Sequence, residues 1–560
     1  MISKSNVNTN GDTPAATTLD IPATATGPLE SSPVNLLSGI QTQTENKASA
    51  WPAVLTAVGL GFLFTTFLLI VQFSTPSLVG NDGYYHIKIA FLMRTQGLKP
   101  FFEWLPLTVL NPVEFVDHHF LYHVLLIPFT FGDLRIGAKL ASAIYPSITF
   151  LIFWWLLRGQ RLPFAALWAG AVLVISEAFI YRMSMPRAQS ISLAVLLLAL
   201  HWLLTGKHRR LLPLAFVYVW LYNAFPLLLV MAGVYTGARW LLDGKLAWKP
   251  LVYTSLGIGL GLVINPYFPQ NINFIYRHIA PKLADPTAIR VGNEWFPYET
   301  NQLFDNAGVA LLALLAGVFA LGLRGRRMDM RTGATLLLTF FFGALLFQSR
   351  RFIEYFPAFA LLLAAFAWSP ILARWLNQDG SSIQHLTQKT GWFDRLRNRP
   401  WPRQSVLAGT AILLLAPALW FNLQASRASV QRAKPYERYA AAAAWLESNS
   451  SAGARVFQTD WDDFPRLFYF NTHNVYTIGL DPTYMQLFDP DLYDLWSDIT
   501  KGRVETPSKA IQGQFGAQYV FTDLKHDNFI QDAREDPHLV EVFQDEYALI
   551  FQVITTDGNS

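Results

Sequence analysis

Two short segments combine acids and histidines in a way that could support chemistry. The first, Asn81-Asp82-Gly83-Tyr84-Tyr85-His86, directly follows a long apolar run. Asp82 could act there as a general base or a metal ligand, and the structural alternative is a solvated Asp at the end of a helix. The second, Asp117-His118-His119, could ligate a metal, form an acid–base pair or contact phosphate. Its consecutive spacing is not that of a helical zinc site, and an interfacial pair of histidines is the alternative.

Arginines at the ends of apolar runs indicate a second kind of chemistry, the binding of phosphate. The segment 181–189 contains Arg182 and Arg187 but no acid, and guanidinium groups are natural phosphate clamps. The alternative is that they reach to lipid headgroups. Arg350 and Arg351 stand as a pair between two apolar runs, where an anionic ligand would explain them. A salt pair of Arg351 with Glu354, at i and i+3, is the structural alternative.

Two further acidic segments are candidates for contacts with a substrate. Glu294 stands beside Trp295 in a loop bounded by Gly and Pro, and the alternative there is an aromatic belt at the membrane interface. Near the C-terminus, Asp460-Trp461-Asp462-Asp463 places three carboxylates within four residues after a predicted strand. An Asp-rich turn that caps a helix is the simpler interpretation of this segment.

The composition indicates that these residues belong to a membrane protein. Of 560 residues, 52% are hydrophobic and only 15% are charged, and the mean hydropathy is +0.26. Soluble proteins carry roughly 25% charged residues. The apolar content excludes a disordered chain, and the absence of cysteine excludes a disulfide scaffold or a Cys-ligated metal. The net charge of +4 is small and scattered, so we expect no nucleic-acid partner.

The apolar segments predict a polytopic α-helical membrane protein with about 11–13 transmembrane helices. A further piece, 120–131, is short and is interpreted as a helix at the interface, with a short true span as the alternative. The predicted spans are 52–73, 136–157, 162–180, 188–205, 211–223, 225–242, 250–267, 306–323, 332–348, 352–373 and 404–421.

Basic residues in alternate loops predict the orientation. They place the N-terminus in the cytoplasm, and an odd number of spans places the C-terminus outside. Residues 1–50 are then a disordered cytoplasmic tail, 51–421 the membrane domain with outer loops at 74–134 and 268–305, and 422–560 a soluble α/β domain outside the cytoplasm. Strands are predicted at 455–458, 474–478, 519–522 and 548–554, with a helix at 439–446. The paired Arg350 and Arg351 would lie outside, against the usual charge bias.

The order of these features resembles the GT-C superfamily of membrane glycosyltransferases, and in particular the catalytic subunit of oligosaccharyltransferase and its bacterial single-subunit form. The segment 81–84 is similar to the first-loop Asp segment of that family, and Glu294 to its mobile-loop Glu. The segment 351–355 is similar to its Arg-Phe-x-x-Tyr stretch, and 460–464 to its WWDYG motif. The family's second-loop Asp-x-Asp, a metal ligand pair, is replaced by Pro-Arg-Ala-Gln at 186–189. In the last motif, Asp460 replaces the first Trp and Asp-Phe replaces Tyr-Gly.

The resemblance implies a transferase that moves a sugar or oligosaccharide from a polyprenyl phosphate or pyrophosphate to an acceptor on the outer face of the membrane, with inversion. It implies Asp82 and Glu294 as catalytic residues. Two forms of this chemistry stay open: a divalent cation, Mg²⁺ or Mn²⁺, with Asp82 and Asp117 as its candidate ligands, or metal-independent transfer with Asp82 as the base, as in GT-C relatives that take single sugars from polyprenyl phosphate. Expected partners are the lipid-linked donor, membrane lipid and a protein, lipid or polysaccharide acceptor, in a bacterial inner membrane. Contacts with donor phosphate are expected from Arg351, Arg350, Arg187, His118 and His119, and contacts on the acceptor side from Trp461, Asp462 and Asp463.

Three alternatives remain open from the sequence. A transporter would more often carry charges in mid-membrane and repeated halves. A catalytically silent envelope assembly protein would keep the fold without the chemistry, and the missing acidic pair is compatible with that. A ligase or polymerase for surface polysaccharide would use the same type of donor.

Overall fold

The structure is a computed structural model that describes residues 51–284, 292–325, 328–377 and 403–554. The predicted tail at 1–50 lies outside the described residues, as does most of the basic loop at 374–403. The described chain from residue 53 to residue 554 belongs to one compact unit.

Each predicted apolar segment forms helix. In the membrane part the α-helices are α1 (Trp51–Gln72), α2 (Asp82–Gln96), α3 (Phe120–Leu126), α4 (Leu134–Gly159), α5 (Ala165–Gly170), α6 (Glu177–Met183), α7 (Gln189–Leu204), α8 (Leu211–Leu221), α9 (Pro226–Asp243), α10 (Trp248–Val263), α11 (Gln270–Ala284), α12 (Thr300–Arg324), α13 (Met330–Gln348), α14 (Phe356–Asn377) and α15 (Arg403–Gln431). Short 3₁₀ turns lie at Ile127–Thr130, Ala171–Val174, His208–Arg210, Asn293–Trp295 and Arg350–Glu354.

Among the described residues, six helices are long and apolar enough to cross a membrane, and the protein is an integral membrane protein. These spans are Trp51–Gln72, Leu134–Gly159, Thr300–Arg324, Met330–Gln348, Phe356–Leu376 and Gln404–Gln431. The other predicted segments form helices shorter than the roughly 20 residues that a bilayer requires, or a bent pair. The count of 11–13 spans therefore stays a prediction. The last span also continues to residue 431, past the predicted boundary at 421.

The segment predicted as a span at 162–180 is bent by 90° between Ala165–Val174 and Glu177–Met183. Ser176 causes the break. Its backbone is extended, and its hydroxyl accepts a hydrogen bond from the Phe179 N–H at 3.0 Å, so it caps a new helix. The new helix, α6, ends one residue after Arg182.

The helices pack closely where glycine removes the side chain. A Cβ at Gly257 of α10 would lie 2.3 Å from the Leu212 carbonyl oxygen of α8, and one at Gly261 would lie 2.9 Å from the Phe216 carbonyl. Small residues of this kind let helix backbones approach within a membrane.

The C-terminal part is a small α/β domain around a five-stranded sheet. Its strands are β1 (Arg455–Gln458), β2 (Val475–Tyr476), β3 (Tyr519–Asp523), β4 (Leu539–Gln544) and β5 (Ala548–Val553), in the order β2-β1-β3-β5-β4. β1 pairs in parallel with β2 and β3, while β5 is antiparallel to β3 and β4. Around them lie α16 (Ala440–Asn449), α17 (Phe464–Phe470), α18 (Thr483–Phe488), α19 (Pro490–Thr500), α20 (Pro507–Gly513) and α21 (Asp527–Glu535).

Four strands and the helix at 439–446 were predicted correctly, but β4 was missed. β4 is an edge strand whose side chains are mostly exposed or half-buried, and a bulge interrupts its pairing with β5 at Glu541 and Phe543. Such a strand has a weak apolar signal.

The two faces of this sheet belong to different cores. Side chains alternate across a strand, so Phe457 faces a core made within the domain, whereas Val456 faces a core that also includes Phe102 and Leu105 of the first long loop. The backbone N–H of Tyr476 donates to the Trp104 carbonyl at 2.8 Å. The loop at 74–134 is therefore held against the C-terminal domain.

Candidate functional site

The turn between α1 and α2 is held by a buried lysine. Lys139 of α4 donates to the carbonyl oxygens of Gln72, Thr75 and Ser77 at 2.7, 2.8 and 2.6 Å. An ammonium group has three protons to donate, so all are used. This contact fixes the chain immediately before Asp82, the first residue of α2.

Asp82 pairs with an arginine of the segment 181–189. Arg187 forms an ion pair with the Asp82 carboxylate, and its Nη1 also lies 3.4 Å from the Glu294 carboxylate. Gly83 makes this approach possible, since a Cβ there would lie 2.1 Å from the ring of Pro186. The replaced Asp-x-Asp position thus contributes a guanidinium group instead of carboxylates.

Glu294 lies at the centre of an arginine cluster. Its carboxylate accepts from Arg182 at 2.9 Å and from Arg351 at 2.6 Å. Burial alone would raise the pKa of Glu294, but Arg351, Arg182 and Arg187 outweigh that effect and hold the pKa well below its ordinary value. Arg351 also donates to the Tyr222 hydroxyl at 2.6 Å.

The simpler interpretation of Arg351, a salt pair with Glu354, is wrong. Glu354 is fully buried and accepts instead from Arg182, whose Nε lies 2.8 Å from Oε1. The three arginines Arg182, Arg187 and Arg351 therefore meet three carboxylates, those of Asp82, Glu294 and Glu354.

The three arginines, Asp82 and Glu294 line one cavity of about 1170 Å³, between the membrane helices, the first loop and the C-terminal domain. Glu354 is buried and does not line this cavity. Most of the predicted site residues contribute to it. They are Asp82, His118, His119, Arg187, Glu294, Arg351, Trp461 and Asp462.

Three predicted residues lie elsewhere. Arg350 lines a neighbouring cavity of about 360 Å³ and donates to the carbonyls of Phe296 and Pro297 at 3.3 and 3.0 Å. Asp463 is 1% exposed and lies behind the cavity wall. Asp117 is buried as well, and its carboxylate accepts a hydrogen bond from His123.

The C-terminal domain closes the cavity through a contact with the residue before Asp82. The side-chain amide of Asn81 donates to Asp462 Oδ2 at 2.6 Å, and Arg466 donates to Asn81 Oδ1 at 3.1 Å. Burial raises the pKa of Asp462 to about 6, although Lys434, 3.5 Å away, acts in the opposite direction.

Solved structures with the same architecture decide the fold. The archaeal oligosaccharyltransferase AglB from Archaeoglobus fulgidus, in complex with an inhibitory peptide and a dolichol-phosphate, is 14% identical with a TM-score of 0.58, and the match covers 87% of this chain and 72% of that one. ArnT from Cupriavidus metallidurans bound to undecaprenyl phosphate is 15% identical with a TM-score of 0.51, and covers 91% and 99%. The arabinofuranosyltransferase AftD from Mycobacteria is 13% identical with a TM-score of 0.52, and covers 91% and 40%.

The protein has a GT-C-like fold. No protein-family model matches the sequence, and no curated protein matches it either. At these identities the likeness establishes the fold and leaves the chemistry to be argued from the residues themselves.

The GT-C resemblance left a divalent cation open, and the residues do not fit one. Among the described residues, no group of three or more His, Asp or Glu side chains is arranged to hold a metal ion. Of the two expected ligands, Asp82 is paired with Arg187 and Asp117 with His123. A guanidinium group beside a carboxylate opposes the binding of a second cation.

Sequence reasoning missed four residues of this site. Arg182 stood in the acid-free loop, but only Arg187 was chosen from that pair. Tyr222 ends a purely apolar helix and gave no signal. His86 and His123 were overlooked, although each follows a chosen residue by four positions, His86 after Asp82 and His123 after His119, a spacing that puts two side chains on one face of a helix.

Proposed function

We propose that this protein is an integral membrane glycosyltransferase that moves a sugar or oligosaccharide from a polyprenyl phosphate or pyrophosphate donor to an acceptor. One observation carries the proposal. Three arginines and the carboxylates of Asp82 and Glu294 converge in a single cavity beside the membrane helices. A lipid-linked phosphate is stabilised by nearby cations, and an acceptor nucleophile needs a hydrogen-bond acceptor beside them.

The arginines would bind the donor phosphate, where negative charge increases as the sugar–phosphate bond breaks. Arg351 and Arg187 are the main candidates, with Arg182 beside them. Their positive charge is already matched by carboxylates, so a phosphate would have to take a guanidinium partner from one of them. Glu294 contacts all three arginines and is the group that such an exchange would release.

Asp82 would contact the acceptor, and direct displacement at the sugar carbon would invert its configuration. Trp461 and Asp462, on the opposite wall, would contribute to the acceptor side. The dolichol-phosphate and undecaprenyl phosphate bound by the two similar structures support a lipid-linked donor for this chain. We also propose that the cavity opens outside the cytoplasm of a bacterial cell membrane, as the basic loops indicate, and that 422–560 acts there as a separate domain.

Binding of undecaprenyl phosphate to the purified protein tests the proposal. We expect Arg351→Gln to weaken binding at least tenfold and to abolish release of undecaprenyl phosphate from a panel of undecaprenyl-phosphate-linked sugars, with octyl glucoside as a hydroxyl acceptor. Arg239→Gln is the matched control, because Arg239 pairs with Asp243 at 2.8 Å on the surface of α9.

Each other outcome selects an alternative. Binding that depends on Arg351, without transfer by the wild type, would favour a silent assembly protein. Binding accompanied by movement of the lipid between leaflets of a vesicle would favour a transporter. Binding unaffected by Arg351→Gln would overturn the assignment of the phosphate site.

A further inference from the structure

A chain of hydrogen bonds runs from a buried carboxylate to the wall of the cavity. Asp117 Oδ2 lies 2.7 Å from His123 Nδ1, and His123 Nε2 lies 2.7 Å from His86 Nδ1. Asp117 and His123 are buried and do not line the cavity, whereas His86 does. The three side chains come from the loop before α3, from α3 and from α2.

The direction of these two hydrogen bonds determines which nitrogen of His86 carries a proton. A carboxylate only accepts hydrogen bonds, so His123 donates from Nδ1 and, as a neutral ring, keeps an unprotonated Nε2. That nitrogen must accept from His86, which therefore carries its proton on Nδ1. The remaining nitrogen of His86, Nε2, has a free electron pair. Of the three side chains, it is His86 that lines the cavity.

The position of His86 is suited to taking a proton from an acceptor hydroxyl. It follows Asp82 by one helical turn of α2, so both side chains lie on the same face. Asp82 is already paired with Arg187 through Oδ2. Burial lowers the pKa of His86, and His123 and Arg187 act in the same direction, so the imidazole is neutral at pH 7.

We propose that His86 is the proton acceptor of the transfer reaction, with His123 and Asp117 as positioning residues. This inference rests on the proposed function. The acceptor hydroxyl gives its proton to His86 Nε2, and its oxygen forms a bond to the sugar carbon. The bond from that carbon to the phosphate oxygen breaks, and the electron pair leaves with the polyprenyl phosphate. The positive charge that forms on His86 is shared with His123 and stabilised by Asp117.

Replacing His86 by Asn tests its role as a base separately from its role in packing. The Asn side-chain amide can still donate to His123 from the position of Nδ1, but it has no basic nitrogen. We expect His86→Asn to lower kcat for undecaprenyl phosphate release about 100-fold or more, with little change in the affinity for undecaprenyl phosphate. His201→Asn is the control, because His201 is also 4% exposed but contacts Trp155 away from the cavity.

The pH dependence of kcat/KM distinguishes a positioning role of Asp117 from a role in packing alone. In Asp117→Asn the charge on the His pair is no longer stabilised, so the acidic limb of kcat/KM should shift to lower pH and the plateau should fall about tenfold. The titratable and charged groups around His86 are Asp82, Tyr85, His118, His119, Tyr122, His123 and Arg187. They are unchanged in this variant. An unshifted limb would overturn the positioning role.

The outcomes separate this inference from the proposed function. Transfer by the wild type that survives in His86→Asn overturns the inference alone, and absence of transfer by the wild type overturns both. A readout independent of turnover is the ¹⁵N spectrum of histidine-labelled protein, with the His86 signals assigned by their loss in His86→Asn. A protonated Nδ1 and an unprotonated Nε2 are expected, and the opposite tautomer would overturn the inference whatever the activity.

Discussion

The carboxylates on the membrane side of the cavity and those of the C-terminal domain differ in the cations that surround them. The membrane-side carboxylates are Asp82, Glu294 and Glu354, and those of the C-terminal domain are Asp462 and Asp463. Each group contains one fully buried member, Glu354 at 0% and Asp463 at 1% exposure. On the membrane side, Arg182, Arg187 and Arg351 match the acids one for one. In the C-terminal domain, Asp462 has Lys434 at 3.5 Å, and burial raises the pKa of Asp463 well above its ordinary value.

The difference shows that burial alone does not decide the charge of a carboxylate. Burial raises the pKa of Glu294 and of Asp463 alike, and only the nearby arginines reverse its effect at Glu294. The membrane-side group is therefore a set of ion pairs, which the proposed donor phosphate would have to rearrange. The C-terminal group is better suited to hydrogen bonding than to holding a phosphate.

Removing the central carboxylate is the largest change that this comparison predicts. In Glu294→Gln, the arginines lose the acid that competes with phosphate, so we expect undecaprenyl phosphate to bind about tenfold more tightly, which corresponds to about 1.4 kcal/mol. Steady-state transfer should fall about tenfold, because the polyprenyl phosphate product leaves more slowly. Equilibrium binding and steady-state kinetics measure the two effects.

The control for this variant is Glu541→Gln, which removes an exposed carboxylate that pairs with Arg534 at 3.0 Å on the sheet edge. Weaker binding of undecaprenyl phosphate by Glu294→Gln would contradict the exchange, and would show that Glu294 orders the arginines instead of competing for them.

The sequence predicted the charged residues of the site better than it predicted how they pair. Asp82, Glu294 and Arg351 could be chosen because charged residues are rare at the ends of apolar runs. How they pair could not be predicted, since the ion pairs join segments separated by 57 to 172 positions, from Arg351 with Glu294 to Arg182 with Glu354. The local alternative for Arg351, a pair with Glu354 three residues away, was wrong for the same reason.

The fold was predictable where the apolar pattern is strong. The helices and four strands follow from it, whereas the 90° bend at Ser176 and the edge strand β4 do not. The bend depends on one capping hydroxyl, and its consequence, the placement of Arg182 in the cavity, arises from packing. The hydrogen bonds that join His86, His123 and Asp117 could not be predicted either, because they connect two helices and a loop.

A pH-dependent stability difference at Asp462 is the next smaller effect. Its pKa rises from 3.8 to about 6 in the folded protein. Between these values the folded state binds more protons than the unfolded state, so stability falls as the pH rises through this window. We expect Asp462→Asn to be more stable than the wild type at pH 7 by about 1 kcal/mol, a figure reduced because 35% of the side chain is exposed.

Thermal unfolding in detergent at pH 7 and pH 5 measures this difference. The advantage of Asp462→Asn should fall to about half of its pH 7 value at pH 5, and it should disappear only below pH 3.8, where the carboxyl is protonated in both the folded and the unfolded state. Asp498→Asn, at an exposed acid that pairs with Arg503, should show the pH dependence of the wild type. An advantage that grows on acidification would mean that Asp462 is an ordinary ionised partner of Lys434.

A still smaller effect is expected at Asp463. Because burial favours its neutral form, Asn closely replaces it, and Asp463→Asn should change the free energy of unfolding by less than about 0.5 kcal/mol at pH 7. Transfer activity should stay within twofold of the wild type. A loss of several kcal/mol, measured by the same unfolding assay, would show that Asp463 is charged, and the contrast with Glu294 would then fail.

Chelation is expected to have no effect, and it tests whether the cation beside the membrane-side carboxylates is an arginine or a metal ion. Arg187 stands between Asp82 and Glu294, where a divalent cation would otherwise have to lie to bridge them. Guanidinium groups are not removed by EDTA, so transfer by the wild type after chelation should stay within twofold of its initial rate. A more than tenfold loss that Mg²⁺ or Mn²⁺ restores would mean that these carboxylates exchange Arg187 for a metal when substrate binds. Arg187→Gln frees Asp82 and removes one of the three arginines around Glu294, and it separates the two cases. Loss of transfer that added Mn²⁺ does not restore would confirm that the guanidinium itself is required.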